Sequence, residues 1–451
     1  MDQDEQKLRG VFHSSVETFE TRVISLYVVK YGRVLKYFLH NHYKPQKYTS
    51  SMQKVRLKNG LTVLYKKETG NSVVIQVMVK VGSNNEKNGE EGISHFIEHI
   101  LFEGTKKRPT NQLISNEIEK IGGEFNAYTT NSRTCYYIKV LQKHFGKAVD
   151  VLSDILQNSL FSEENIAKEK KIVLKEIDMV HDEPNYYQWV LFQKNIFTKH
   201  PAKNPTYGKR NVIKNLTRTK IIDYFTQNYV PENIAVSIVG NVPQWKTLME
   251  KSFSIKSGKK SVLKRVIEPR ATRNTVRREK KNIVNTYMIL GFKTIPRNHK
   301  DSYVLDVIHS ILGRGQSGKM FIEIRSTKGL AYDVGTQNVI DTSFGYFAIY
   351  ATIDKKNIIN VKNIILAEMQ KLKNTTAQEL KEAKDYIEGN YLLEIEDNQK
   401  VADQLLFWDH VQSVDLMNMF LKNVKNVSLS DIRRVVKKYF NKYTMTVLEG
   451  K

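Results

Sequence analysis

The sequence predicts two α/β domains of similar plan. Strand and helix patterns follow the same order in both halves, a strongly basic segment separates them, and 451 residues with 40% hydrophobic and 10% aromatic side chains can build more than one core. In the first half, Val55 and Leu57, then Asn59-Gly60, then Leu61 and Val63 spell a β-hairpin, because Asn-Gly suits the tight turn. Residues 72–81 alternate as a strand, and a helix follows around His95. A second helix runs from about 110 to Gly122, strands cover 124–130 and 134–141, helices cover 145–156 and 162–180, and strand 233–239 closes the set. The second half repeats the order. Strand 286–292 leads to helix 301–312, a helix from 317 to Gly329, strands 331–339 and 346–353, long helices from Ile358 and Ala377, and a closing strand at 444–448.

The most informative stretch is His95, Phe96, Ile97, Glu98, His99, where two histidines four apart flank a glutamate inside an apolar, helix-compatible run. At about 100° per residue the imidazoles are separated by roughly 40° around a helix, so both can reach one metal ion with Glu98 beside them. A catalytic zinc takes three protein ligands and leaves the remaining position to water, so a third ligand is needed. Residues 162–180 offer candidates. Ser162 reads as an N-cap, Glu163 and Glu164 favour the positive end of the helix dipole, and Ile166, Val173, Ile177 and Val180 continue at helical spacing. Glu169 and Glu176 lie two turns apart on one face, so one can bind the metal while the other orients a histidine or a water. Glutamates on a Lys-rich helix read by themselves as solvated surface, and the histidine pair changes that balance.

Together these residues resemble the pitrilysin/insulinase-like inverted-zincin metallopeptidases, in particular the two-domain type of the mitochondrial processing peptidase. The signature is His-x-x-Glu-His followed by a glutamate 77 positions after the second histidine; here 176 − 99 = 77, with Glu169 seven residues earlier. The resemblance implies an α+β fold of two homologous duplicated domains, each a mainly antiparallel sheet packed by helices. It implies His95, His99 and Glu176 as ligands of one Zn2+ per chain, Glu98 as general base, and Glu169 as the carboxylate behind the ligands. Gly82, Ser83 and Glu86 resemble the segment before the motif, and Phe102, Gly104 and Thr105 the turn after it. Residues 122–129 resemble the strand along which an extended peptide is laid, at Asn126 and Ala127. Where relatives usually carry a glutamate six residues after that asparagine, this chain has Ser132, which puts a local contact in question. In the second half, Arg325 and Tyr332 resemble the pair that grips the substrate backbone near the scissile bond. Guanidinium and phenol both donate hydrogen bonds to carbonyl oxygens. Helix 301–312 contains only His309, so the second copy lacks the metal set.

The expected organisation is an N-terminal extension (1–51), a zinc-binding catalytic domain (52–255), a basic linker (256–281) and a second, substrate-binding domain without metal ligands (282–451). The expected function is a zinc-dependent endopeptidase acting on unstructured peptides or precursor segments, through a zinc-bound water activated by Glu98. A non-catalytic peptide-binding or scaffold subunit of a heterodimeric processing peptidase is the alternative, and the complete zinc set speaks against it. Because the chain carries both the zinc half and the Arg325/Tyr332 half, a homodimer is expected in which each site is completed by the partner's second domain. A heterodimer with a related subunit is the other arrangement.

Cys135 is the single cysteine, which excludes an intrachain disulfide and a cysteine-based zinc site; its strand-like setting suits a small buried hydrophobe. The formal net charge is +24, and segment 256–281 holds eleven basic residues against Glu268 and Glu279, 11 − 2 = +9. That run has no aromatic residue to stack on bases and matches no common nucleic-acid module, so it reads as a solvated linker. If the basic surface reaches the active chamber, acidic peptides should be favoured. No stretch reads as a membrane span: the best candidate, 23–39, is interrupted by Lys30, Arg33 and Lys36. No secretory signal is read, and acidic residues in 1–51 make a poor mitochondrial transit peptide. A cytoplasmic location is expected, with an organelle matrix as the alternative if residues 1–51 act in targeting.

Overall fold

A computed structural model describes residues 52–259 and 266–450. The N-terminal extension with its 23–39 stretch, and Lys260, Lys264 and Arg265 of the basic segment, lie outside the described residues. Two sheets carry the fold. The first is built from β1 (Gln53–Arg56), β2 (Thr62–Lys66), β3 (Ser72–Val79), β4 (Glu124–Thr129), β5 (Thr134–Leu141) and β6 (Ile234–Val239), in the order β1-β2-β6-β3-β5-β4. The second takes β7 (Thr275–Lys280), β8 (Thr286–Lys293), β9 (Ala331–Ile340), β10 (Gly345–Ile353) and β11 (Thr444–Glu449), in the order β7-β11-β8-β10-β9. In each sheet one pair is parallel, β2 with β6 and β7 with β11, and the remaining pairs are antiparallel. Strands β2-β6-β3-β5-β4 therefore repeat as β7-β11-β8-β10-β9, with the β1 hairpin strand added to the first sheet.

This topology revises the reading of 256–281 as a linker throughout. Its last part, Thr275–Lys280, is an edge strand and the counterpart of β2. The charges that suggested a solvated segment sit on a largely exposed strand at a sheet edge, where charged residues also discourage pairing with another chain. Helix 317–329 is also less regular than expected. After a short 3-10 turn at Gly315–Ser317, residues Phe321–Ser326 form a π-helical segment, with the Thr327 amide donating to Ile322 O at 2.8 Å. Gly329, with φ of 59°, reverses the chain into β9.

The alternation expected for 72–81 implied one buried face, yet β3 is buried on both. Val73, Ile75, Val77 and Val79 enter the core shared with the His95 helix, while Val74 and Met78 meet Val401, Ala402, Leu405 and Leu406. Those leucines belong to helix Asn398–Val411 of the C-terminal half, which covers the outer face of the first sheet. In return, helix Pro184–Ile196 of the N-terminal half packs on β8 and β11 of the second sheet, placing Phe192 and Ile196 against Ile289, Tyr346 and Ala348. Each sheet is thus covered on its second face by a helix from the other half.

Polar contacts follow the same exchange. Gln76, the polar residue midway along β3, donates to Asp403 at 2.8 Å, and Lys54 and Lys80 pair with the buried Asp409 at 2.5 and 2.9 Å. Ser132 donates to Asp341 at 2.9 Å, so the departure at this position makes its own bond to the second half. Cys135 is buried, and burial pushes its thiol up to about 12, in keeping with a packed side chain. Among the described residues no helix is long and apolar enough to cross a membrane.

The exchanged packing leaves no room for a side chain at Gly291 on β8. A Cβ there would lie 2.3 Å from Phe192 Cζ and 3.0 Å from the Phe347 carbonyl oxygen. Gly291→Ala is therefore expected to lower stability by about 1–3 kcal/mol in a thermal or denaturant melt, because the fully buried Phe192 ring has no free space to move into. An unchanged melt would show that Phe192 is not seated against β8.

Candidate metal centre

Helix Ile93–Ile100 is short and buried almost throughout. Its N-cap, Gly92, has no side chain to accept from the first amides and adopts φ of 97°. Glu86 takes over that role: its two carboxyl oxygens accept from the Gly92 amide (2.8 Å) and the Ser94 amide (3.0 Å). Gly92 also permits a close backbone approach, since a Cβ there would lie 2.5 Å from Tyr207 O and 2.9 Å from the Cα of Gly208. These constraints set where the helix begins and which face it turns inward.

Helix Glu163–Asp182 supplies the opposing face, capped as expected by Ser162, which accepts from the Asn165 amide. Its Glu169 and Glu176 are buried despite the surrounding lysines. Glu176 Oε2 lies 3.6 Å from His99 Nε2 and 4.0 Å from His95 Nε2, and the two imidazole centroids are 4.6 Å apart. Glu169 Oε2 stands 3.3 Å from His99 Nδ1, so Nε2 is the ring nitrogen turned towards Glu176. Among the described residues this is the one group of three side chains able to hold a metal ion, its ligand atoms all within 4.8 Å of one another. His95 Nδ1 and Glu176 Oε1 are buried with no hydrogen-bond partner, which is rare for atoms of their kind. Two imidazoles and a carboxylate are a donor set that zinc accepts, and its tetrahedral geometry separates ligand atoms by roughly 3.3–3.5 Å. The two contacts to Glu176 would need to shorten by well under an ångström, so the residues fit the ion.

Glu98 lies on the same helix and is buried, and Thr129 Oγ1 at the end of β4 donates to its Oε2 at 2.5 Å. β4 is an edge strand with one side unpaired within its sheet. Asn126 and Ala127 sit at its middle, and the Ala127 amide donates to the Asn126 side-chain oxygen at 2.8 Å. Arg325 and Tyr332 are brought together by the turn at Gly329, with the guanidinium 5.8 Å from the ring centroid of Tyr332, which is 79% exposed. Among the described residues, no hydrogen bond, ion pair or ring contact joins either to the His95 cluster. His309 is packed into the second half, its Nδ1 2.8 Å from Thr336 Oγ1. Sequence reasoning assigned no role to Thr129. Strand alternation alone could have found it, since it shares a face with the buried Ala127.

Burial pushes the Glu98 carboxyl up to about 7, against the charge of His99 and the Thr129 bond. Burial likewise raises Glu86 to about 8 in spite of the Gly92 and Ser94 amides. For His99, burial disfavours the charge, but Glu176, Glu169 and Glu98 more than offset it and hold it at about 9. Burial and the neighbouring His99 push His95 well below its ordinary value. A group whose pKa is raised on folding contributes stability that is lost as pH climbs from its unfolded to its folded value. The windows are 4.5 to about 7 for Glu98, 4.5 to about 8 for Glu86 and 6.5 to about 9 for His99, while the opposing contribution of His95 acts only below 6.5. The melting temperature of the metal-free chain should therefore fall as pH rises from 6.5 to 9. Zinc requires the ligands deprotonated, so the stabilisation it confers should grow over the same range. A flat or rising melting temperature without metal would contradict this arrangement of buried groups.

Comparison with known proteins places the chain among peptidases of one family. Residues 61–210 match the family model for insulinase (peptidase family M16), and residues 215–387 match the model for the peptidase M16 inactive domain. Proteins named uncharacterized zinc protease from Rickettsia felis and Rickettsia bellii are 32% and 33% identical over 408 and 411 residues, each match covering 88% of this chain and 96% of the relative. The crystal structure of a protease from Helicobacter pylori superposes with a TM-score of 0.85 at 24% identity, covering 89% of this chain and 99% of that one. A Pseudomonas fluorescens structure described as a peptidase M16 inactive domain gives a TM-score of 0.81 at 16% identity, over 89% and 98% of the two chains. On the sequence matches, the chain belongs to the M16, insulinase-type peptidase family.

Proposed function

We propose that the chain is a zinc-dependent endopeptidase that cleaves unstructured peptides or precursor segments. The convergence of His95, His99 and Glu176 beside the buried Glu98 carries this reading. These three residues would hold one zinc ion per chain, with Glu169 fixing the orientation of His99. When bound, zinc supplies Lewis acidity that polarises a peptide carbonyl and makes water nucleophilic near neutral pH. Glu98 moves the proton: it takes one from the attacking water and returns it to the leaving amine, with Oε2 anchored by Thr129 and Oε1 left for the transfer.

The open side of β4 suits an extended substrate added as a further strand. Backbone pairing at Asn126 and Ala127 would exchange the hydrogen bond from the Ala127 amide to the Asn126 side-chain oxygen for one to a substrate carbonyl, and it makes little demand on side-chain sequence. Arg325 and Tyr332 would hold the substrate backbone near the scissile bond. Because the exposed pair makes no contact with the metal cluster of its own chain, we read the working form as a homodimer in which the partner's second domain completes each site.

Glu98→Gln is expected to lower kcat by about 10²–10⁴-fold on a quenched unstructured peptide while zinc content stays at one ion per chain. Protein that binds no zinc, or cleavage untouched by this substitution, would falsify the assignment. For the dimer, mixing inactive Glu98→Gln chains with inactive Arg325→Ala chains should restore cleavage that neither shows alone, since a mixed pair contains one intact composite site. Absence of complementation between variants that exchange subunits would exclude the shared site.

A further inference from the structure

The turn between β4 and β5, residues 130–133, is gripped by both halves of the chain. On the N-terminal side, Gly82 lies so close that a Cβ would be 2.3 Å from Thr130 O. The Ser83 and Asn84 amides donate to the Thr130 and Asn131 carbonyls at 3.2 and 2.7 Å. The same segment runs on to Glu86, the cap of the His95 helix. On the C-terminal side, Asp403 accepts from the Tyr128 hydroxyl, from Gln76 Nε2 at 2.8 Å and from Arg133 Nη2 at 3.0 Å. Asp341 accepts from Ser132 Oγ at 2.9 Å, and His410 Nε2 lies 3.1 Å from Ser132 O. Tyr128 and Thr129 are consecutive on β4, so their side chains leave opposite faces. Tyr128 goes to Asp403, and Thr129 goes to Glu98.

We propose that Asp403 is a positioning residue for the general base: it holds Tyr128 and Arg133 on the outer face of the hairpin, and the strand transmits that constraint to Thr129, which holds Glu98 in one rotamer. The proposal rests on the reading of Glu98 as the base. A glutamate with three rotatable bonds delivers a proton reproducibly only if something restrains it, and Thr129 is the hydrogen-bond donor that the structure gives its carboxylate. The second half thereby acts on the metal site of its own chain, in addition to any role of Arg325 and Tyr332 across a dimer. A merely structural Asp403 would join the halves without any specific dependence on Thr129.

The test uses the full chain and four variants: Thr129→Val, which removes the donor at nearly constant shape; Thr129→Ser, which restores it; Asp403→Ala; and Asp403→Asn as the milder form should Asp403→Ala fail to fold. Zinc content, kcat and KM on a quenched unstructured peptide, and hydrogen exchange of the metal-free proteins are measured. Thr129→Val should lower kcat by about ten-fold or more, the worth of one hydrogen bond to a charged group, with zinc content and KM little changed. Thr129→Ser should recover most of the loss. The Asp403 variant should lower kcat in the same way, and combining it with Thr129→Val should cost nothing further, because both act through one bond. In the metal-free chain the Asp403 variant should speed exchange in β4 and in the 93–100 helix as well as near residue 403. Wild-type kcat in Thr129→Val, or losses that multiply in the double variant, would overturn the proposal. Should the unaltered chain hold zinc yet cleave nothing, the peptidase reading fails separately; exchange then decides the clamp alone, and faster exchange confined to 398–411 would overturn it.

Discussion

The contact on which the rest of the molecule depends is the packing of the Ile93–Ile100 helix against the Glu163–Asp182 helix. It removes His95, Glu98, Glu169 and Glu176 from water together, and isolated charges at such depth would be costly. The group compensates only in part: the carboxylates hold a proton on His99, while burial raises the Glu98 carboxyl to about 7 and pushes His95 well below its ordinary value. A cation introduced among them would reverse this balance, favouring neutral imidazoles and ionised carboxylates. The cluster is therefore a poor structural core and a good ligand set, which is why its burial argues for chemistry.

Bringing the helices together requires backbone features elsewhere. Gly92 and Gly208 meet where side chains would collide, and Glu86 satisfies the amides that Gly92 cannot. Downstream of the helix, Arg108 is buried among Glu117, Asp150 and Asp154 at 2.6–2.9 Å, and those carboxylates hold its guanidinium firmly charged. This network anchors the loop that follows the His95 helix to helix Phe145–Asn158.

The two sheets are copies in topology but do not stand apart. Helix Asn398–Val411 covers the first sheet and helix Pro184–Ile196 covers the second, so either half alone would expose an apolar sheet face. That exchange explains the double burial of β3 and the polar Gln76 at its centre, which would be misplaced in an ordinary core strand but meets Asp403 across the interface. It also places residues of the C-terminal half against the hairpin beside Glu98. The second half, which carries no such cluster among the described residues, supports the first through these contacts.

Much of this was legible in the chain because it is local. The spacing of His95, Glu98 and His99 and the shared face of Glu169 and Glu176 follow from helical geometry, and the duplicated order of strands follows from periodicity. The choice of Glu176 over Glu169 as the ligand came from resemblance, and the structure brings Glu176 near both histidines while turning Glu169 to the far nitrogen of His99. What only the tertiary structure decided depends on contacts between distant segments. Charge density hid β7, which needed β11, some 170 residues on, to become a strand. Nothing in the local pattern of Asp403 points to Tyr128, and although alternation places Thr129 on the face of Ala127, its partner Glu98 is set only when β4 folds beside the His95 helix. Sequence by itself determined the candidate residues His95, Glu98, His99, Glu169 and Glu176, since residue type and helical spacing are properties of short segments. The fold decided how they are held, because burial and hydrogen-bond partners exist only once the two halves have closed on each other.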